Sequence, residues 1–344
     1  MGTLPARVLL DLPNWLGDFI HALPPLARLC ACNGGGETWV TLPPAHAPLA
    51  QLTGAHTIPR PMKASFRWAR RVLRGRFEIA LTLRHSTRAK LLLAGTGAAF
   101  SLASAGRGAS ALGHATFRVG RSQHQRHDLD EALARLGLPT VGDDPFVVKL
   151  PPSWIRGGTR QRTLLAERRP LVALLPGSRG EDKRYPLEGY AAVARGLARH
   201  RVASVVLVGP GEEALASAIA AVTQARIAPT TWPLDVTAAL LAACDSAVGN
   251  DSGLTHLAAL VGCPTVALFG PTDPARTAPV GVAVTLRAGQ QGRAGWLAEI
   301  EPPRIARELL ALLPSPRVGA ARIQDRNVLP GEDAPPARVS VEAT

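Results

Sequence analysis

Short runs of branched apolar residues recur along this chain with helix-patterned stretches between them, and that alternation restricts the fold more than any other property. In the second half, "PLVALLP", "VASVVLVG", "SAVGN" and "PTVALFG" are separated by "LEGYAAVARGLARH", "EEALASAIAAV", "VTAALLAACD" and "SGLTHLAALVG". Strands that return in the same direction need a crossover about as long as a helix, so the pattern predicts parallel βαβ units. The first half repeats it more loosely, with "RVLLDLP", "TWVTLP" and "FEIALTL" as strands and "GDFIHALPPLARLCA" and "STRAKLLLAG" as helices. Pro24 and Pro25 should interrupt the first of those helices, because proline removes a backbone donor.

A chain of 344 residues suits two domains of ordinary size. Only 4% is aromatic against 46% hydrophobic, which favours small and branched side chains packed in α/β layers over an aromatic-rich β-sandwich. Periodicity lapses from about residue 142 in "GDDPFVVKLPPSWIRGGTRQR". The reading is a first domain over 1–150, a linker over 151–162, and a second, more regular doubly wound domain over 163–313 that closes with a helix at 302–313. Residues 314–344, rich in Pro, Gly and charge, read as a disordered tail.

The formal charge is +13. It is uneven, with 18 basic and 9 acidic residues in 1–150, net +9, and 21 against 17, net +4, in the remainder. A large anion is therefore expected to dock on the first half. Nucleic acid is not the expected partner, since no helix-turn-helix, RNP or aromatic platform pattern is present. Cys30, Cys32, Cys244 and Cys263 form no zinc spacing and no disulfide framework, so all four read as buried structural thiols. Asp11 and Asp18 break the N-terminal apolar stretch and no secretory cleavage pattern follows. The run "LLLAGTGAAFSLASAG" is shorter than the ~20 apolar residues of a spanning helix. A soluble, cytoplasmic chain is expected.

Three polar clusters follow strands of the second half. In "LLPGSRGEDKRYP", Gly177 and Gly180 allow a tight turn, Ser178 offers a hydroxyl, and Lys183 could set a point charge on a phosphate; a solvated loop is the plain alternative. "VVLVGPGEEA" has the form G-x-G-x-x-A, yet Glu212 and Glu213 would repel a pyrophosphate at that helix start. Those carboxylates either accept hydrogen bonds from sugar hydroxyls or simply complement the helix dipole. In "GNDSGLTHLAAL", Asp251 or Ser252 can cap a helix, Gly253 permits close backbone approach, and His256 shares a face with Ser252.

In the first half, Asp18 of "LPNWLGDFIHALP" stands just past a strand. It is either an N-cap or a general base in the crevice where such sheets bind ligands. The run from Lys63 to Lys90 holds many arginines with Phe66, Trp68 and Phe77 among them, either an anion-docking face or a solvated helix. No Walker loop or G-x-S-x-G elbow occurs, leaving metal and serine-nucleophile chemistry unsupported.

"PNWLGD", "PGSRGEDKRYP" and "GNDSGLTHLAALVGCPTVALFGPTDP" together resemble the ADP-heptose:lipopolysaccharide heptosyltransferases of glycosyltransferase family 9, the second of the inner core more than the first. The similarity runs in order over residues 6 to about 313. It implies a GT-B architecture, two Rossmann-like doubly wound domains facing across a cleft, and an inverting transferase that needs no metal or other cofactor. By matched position, Asp18 would be the catalytic base and Lys183 would meet the donor phosphates, with Ser178 in the same loop. Asp251, Ser252, Gly253 and His256 would bind the donor, and Glu212 or Glu213 would hold ribose hydroxyls. Tyr185 stands where the family usually has tryptophan.

The expected partners are ADP-heptose and an anionic glycolipid acceptor, met in peripheral contact with the inner membrane surface. Arg60, Lys63, Arg67, Arg84 and Arg88 are the acceptor-side candidates. The rivals are a transferase using another nucleotide sugar, a nucleotide-sugar epimerase, a basic nucleic-acid-binding protein and, resting on "GPGEEA" alone, an NAD oxidoreductase.

Overall fold

The computed structural model describes residues 7–33, 36–106, 108–120, 122–138, 140–167, 169–289 and 296–314. The strands of the first half are β1 (Val8–Asp11), β2 (Thr38–Leu42), β3 (His56–Pro59), β4 (Ile79–Thr82), β5 (Phe100–Ser104) and β6 (Ala115–Phe117). Those of the second are β7 (Leu171–Leu175), β8 (Ala203–Val206), β9 (Arg226–Ile227), β10 (Ser246–Asn250), β11 (Thr265–Phe269) and β12 (Ala283–Arg287). They form two six-stranded sheets, ordered β3-β2-β1-β4-β5-β6 and β12-β11-β10-β7-β8-β9. Every pairing is parallel.

Each half is thus a doubly wound sheet, and the two repeat one plan: the order turns back between β1 and β4 in one, and between β7 and β10 in the other. At such a turning point the loops leave the carboxyl ends of adjacent strands in opposite directions and open a crevice for ligand. Strand centres such as Leu9, Leu10, Leu174 and Val248 are fully buried, as a sheet covered by helices on both faces requires. One continuous core runs through both halves, with Phe19, Ile20 and Leu23 from the first and Leu257, Leu260 and Val280 from the second. Among the described residues, no helix is long and apolar enough to cross a membrane.

Pro24 and Pro25 act as expected. The first helical stretch is split into Leu16–His21 and Leu23–Cys32, with the prolines in the opening turn of the second piece, where a missing N–H costs nothing. The closing helix is Pro302–Ala311. The expected tail, apart from Pro314, lies outside the described residues.

Residues 151–162, read as a linker, are instead the greater part of a helix, Pro152–Ala166. Its fully buried positions are Gly158 and Ala166, with Trp154, Ile155 and Leu165 half-buried against the core, so its packed face shows few apolar residues among Gly and Arg. Gly158 is the contact point. A Cβ there would lie 2.0 Å from the Ala239 carbonyl oxygen on the helix Leu234–Ala243. The glycine that suggested a loop is what lets two helix backbones meet. The crossing between halves comes earlier, where Phe146 N donates to Val280 O and Val148 N donates to Leu260 O.

Arg60 is also not where the sequence reading put it. It is 1% exposed, with Nε 3.0 Å from Asp11 Oδ1 and Nη2 donating to Leu12 O at 2.9 Å. Asp11, at the carboxyl end of β1, also accepts from Thr41 Oγ1 at 2.8 Å, Thr82 Oγ1 at 2.9 Å and Arg84 Nη1 at 3.2 Å. Arg60 neutralises a buried carboxylate and offers no surface to an acceptor. Replacing one partner of such a pair strands the other charge, at about 3–5 kcal/mol. Arg60→Ala should therefore lower the urea unfolding free energy by roughly that amount. Unfolding curves like those of the parent would show the pair to be dispensable.

Candidate functional site

The site assembles where the two turning points face each other. After β1 the chain passes Trp15 into the helix Leu16–His21. After β10 it passes Asp251 and Ser252 into the helix Gly253–Leu260. The two helix starts pack together. A Cβ on Gly253 would come within 2.8 Å of Leu16 Cβ, and one on Gly17 within 3.3 Å of His256 Cδ2. Gly253 is thus explained by the approach of Leu16 from the other half rather than by a ligand alone.

Asp18 does not cap its helix. Trp15 is the N-cap residue and makes no side-chain cap bond. The Asp18 carboxylate accepts instead from Gln125 Nε2 at 3.0 Å. It lines a cavity of about 370 Å³ together with Trp15, Arg84, His85, Gln125, Asp128 and Arg276. Arg276 comes from the second half, in the turn Pro274–Thr277, so the cavity lies between the halves. Trp15 projects across the same junction, with the Arg179 guanidinium carbon 3.3 Å from its ring centroid, a cation–π contact.

In the second half, Asp251 is the hub. Lys183 Nζ lies 3.3 Å from its Oδ2, and His256 Nε2 lies 3.1 Å from its Oδ1. Burial opposes ionisation of the Asp251 carboxyl, but the hydrogen bond and charge of His256, the charge of Lys183 and a hydrogen bond from Thr272 outweigh it and bring the pKa to about 2. Ser252 is the N-cap residue of its helix without making a side-chain cap bond; its Oγ lies 3.3 Å from Thr255 Oγ1. With neither Asp251 nor Ser252 capping, the first amides of an eight-residue helix stay available to an anion.

Ser178 is buried, and its carbonyl accepts from Arg184 Nε at 2.9 Å. Glu212 and Glu213 separate cleanly. Glu212 Oε2 accepts from Gly209 N at 3.0 Å and its Oε1 lies 3.5 Å from Arg184 Nη2. The same carboxylate fills the space beside Gly177, where a Cβ would lie 2.2 Å from Oε2. Glu213 turns away, accepting from Gly211 N at 3.1 Å and from Thr230 Oγ1 at 2.9 Å. Glu212 is therefore the one beside the Ser178 loop, and its carboxylate holds the loop amide that a dinucleotide fingerprint would keep for pyrophosphate.

Of the acceptor-side candidates, Arg84 lines the cavity, Arg60 is buried, and Lys63, Arg67 and Arg88 are exposed on or beside the helices Phe66–Val72 and Thr87–Gly95. The sequence reading missed Gln125, Asp128 and Arg276, which only the tertiary fold brings to Asp18. It also missed Asn250, one residue before Asp251. Asn250 Oδ1 accepts from Tyr185 N at 3.0 Å and Tyr190 OH at 3.1 Å, while its Nδ2 donates to Pro176 O at 2.7 Å. That residue ties the loop after β7 to the end of β10. Tyr185 fits the tryptophan-like position by donating its hydroxyl to Ile300 O at 2.6 Å, and burial pushes its pKa up to about 12.

The glycosyltransferase family 9 (heptosyltransferase) model matches residues 65–294. The chain belongs to that family. It is 36% identical over 201 residues to lipopolysaccharide heptosyltransferase 2 of Escherichia coli (strain K12), covering 51% of this chain and 57% of that one. The same enzyme of Salmonella typhimurium is 36% identical over 170 residues, 43% and 48% of the two chains. The chain thus spans about half the length of these curated relatives. Among solved structures, E. coli ADP-heptose LPS heptosyltransferase II superposes with a TM-score of 0.77 at 24% identity, covering 89% of this chain and 98% of that one. E. coli heptosyltransferase WaaC with ADP gives 0.70 at 19% identity, covering 89% and 99%. The GT-B fold of this family is the fold described above.

The junction between the halves buries histidines as neutral rings. The His21 ring lies 4.7 Å from His256 and 5.2 Å from His124. Burial lowers the His21 pKa well below its ordinary value, and the neighbouring His256 and His124 rings and the Arg126 and Arg276 cations act in the same direction. Burial likewise lowers His124 and His46 to about 4. Between roughly pH 6.5 and 4 the unfolded chain therefore binds protons that the folded chain does not, and stability falls as pH falls, by up to about 1.4 kcal/mol per pH unit for each such group. The denaturation midpoint in urea should be lower at pH 5 than at pH 7; equal midpoints would contradict the neutral, buried state of these rings.

Proposed function

We propose that this chain is an inverting, metal-independent heptosyltransferase that moves a heptose from ADP-heptose to a lipopolysaccharide inner-core acceptor. The observation that carries the reading is the Asp18 carboxylate at the interdomain cavity, on a helix whose start packs against the helix start Gly253–Leu260 of the other half, beside the Lys183–Asp251 pair. The family match supports the reaction class. The relatives this chain resembles, lipopolysaccharide heptosyltransferases 2 and a WaaC bound to ADP, support the donor and acceptor.

The chemistry is one displacement. The acceptor hydroxyl oxygen forms a bond to the anomeric carbon as the bond from that carbon to the ADP β-phosphate oxygen breaks, and its electron pair leaves with ADP. Attack from the face opposite the leaving group inverts the configuration. The hydroxyl proton passes to the Asp18 oxygen that Gln125 leaves open. Lys183 and the amides at Ser252 and Gly253 stabilise the charge growing on the diphosphate, the role a divalent cation fills in other transferases. Glu212, beside the Ser178 loop, is the carboxylate placed for ribose hydroxyls. Asp251 and His256 hold Lys183 in place.

Asp18→Asn should keep ADP binding and the unfolding midpoint while lowering kcat by about 10²–10⁴-fold, the usual worth of a general base. Lys183→Ala should lose roughly 10²–10³-fold, as for one oxyanion donor. A panel of nucleotide sugars assayed for nucleotide release separates this reading from another donor or an epimerase. Wild-type turnover by Asp18→Asn would remove Asp18 from the reaction.

The acceptor side includes the membrane that carries the glycolipid. Between Glu37 and Asp128 the only acidic residue is Glu78, and Lys63, Arg67, Arg70, Arg71, Arg74, Arg76 and Arg88 of this stretch are all exposed. Among them stand Met62, Phe66 and Leu91, exposed at 63%, 40% and 40%. Phe66 packs at Gly95, one helical turn beyond Leu91. Apolar side chains ringed by Arg and Lys suit a peripheral contact with anionic lipid. The protein should sediment with vesicles of 30% phosphatidylglycerol and not with phosphatidylcholine, and Arg67→Glu/Arg70→Glu should abolish this at unchanged thermal midpoint. Equal sedimentation of that variant would refute the assignment of this face, and salt-sensitive binding to duplex DNA with none to vesicles would favour nucleic acid instead.

A further inference from the structure

Gln125 belongs to a segment, residues 123–128, that the second half grips from end to end. Arg276 makes a two-pronged pair with Asp128, Nη1 to Oδ1 at 2.6 Å and Nη2 to Oδ2 at 2.7 Å, and Nη1 also donates to Gln123 O at 2.9 Å. His124 Nε2 donates to Ala278 O at 2.8 Å, and Arg126 Nη2 donates to Val280 O at 3.2 Å. Arg126 Nη1 donates to Asp144 O at 2.8 Å as well. Residues 276–280 thus hold the segment, and its central side chain, Gln125, points the other way, to Asp18 at 3.0 Å.

From this arrangement we infer that Gln125 is the positioning residue for Asp18, and that the Arg276–Asp128 clasp sets Gln125, so that the base is oriented only while the two halves are docked. The inference rests on the reading of Asp18 as the base. An amide suits the task. It donates to one carboxylate oxygen and leaves the other to take a proton, and it brings no charge of its own to the base. Asp128 lines the same cavity, but its charge is matched by Arg276. A docked arrangement that orients the base also keeps it unoriented, and the donor safer from water, when the halves part.

The test is steady-state transfer from ADP-heptose by the full chain between pH 5.5 and 9, for the parent, Gln125→Ala, Gln125→Glu, Arg276→Gln, the double variant Gln125→Ala/Arg276→Gln, and Asp18→Asn. Gln125→Ala should lower kcat by about 10- to 100-fold with the KM for ADP-heptose unchanged, the scale for a misplaced reacting group. Gln125→Glu sets a second carboxylate against Asp18 and should move the acid limb of the kcat profile up by about one pH unit or more. The double variant should lose no more than the larger single loss, because both act through one side chain. If Asp18→Asn is inactive while Gln125→Ala and Gln125→Glu keep the parent's kcat and acid limb, the positioning role is overturned and the base survives. If Asp18→Asn turns over normally, the base reading itself fails and this inference falls with it.

Discussion

The contact on which everything else depends is the meeting of two helix starts, Leu16–His21 from one sheet and Gly253–Leu260 from the other. It is possible only because Gly17 and Gly253 carry no side chain where His256 and Leu16 arrive. A Cβ at Gly253 would push Leu16 and move its helix, and with it Trp15 and Asp18. Two sheets of identical strand order each present a crevice at the carboxyl ends of their strands; this contact turns the two crevices toward one another. Without it the two crevices would open separately.

Charge inside this junction is arranged in closed sets. Asp11 is matched by Arg60 and Arg84 with two threonine hydroxyls, Asp128 by Arg276, and Asp251 by Lys183 and His256. A buried carboxylate costs several kcal/mol unless paired and hydrogen-bonded, so each set constrains where its members can stand. That is why a first half with twice as many basic as acidic residues does not spend all its arginines on the surface. Those that remain outside, on and beside the helix Phe66–Val72, have only Glu78 near them in sequence to offset them.

Much of this was legible in the chain itself. The alternation of branched runs and helical patterns identified both sheets, and the polar clusters after β1, β7 and β10 marked the crevice, because local periodicity and strand-end placement are properties of short segments. Other features, Gln125, Asp128, Arg276 and Asn250 among them, were not legible, for one physical reason: each depends on a partner far along the chain. The helix Pro152–Ala166 shows few apolar residues because the centre of its packed face is Gly158, set against a backbone carbonyl. Arg60 looked like a surface cation because Asp11, 49 residues earlier, is invisible to a local reading. Glu212 and Glu213 are neighbours with the same chemistry, and only Gly177 on one side and Thr230 on the other tell them apart.

The same long-range logic bears on Asp18. From its own segment it could be an N-cap, a common fate for an aspartate at a helix start. The fold leaves the cap position to Trp15, which makes no side-chain cap bond, and among the described residues gives the carboxylate a single amide donor from a loop gripped by the other half. A structural aspartate in this position would gain most by satisfying its own helix amides, as Ser65 and Ser86 do for theirs. An aspartate held by one neutral donor at the wall of a cavity keeps an acceptor oxygen unspent. That unspent oxygen makes sense if it serves a molecule entering the cavity, and the clasp between Arg276 and Asp128 makes its orientation a property of the docked pair rather than of either half.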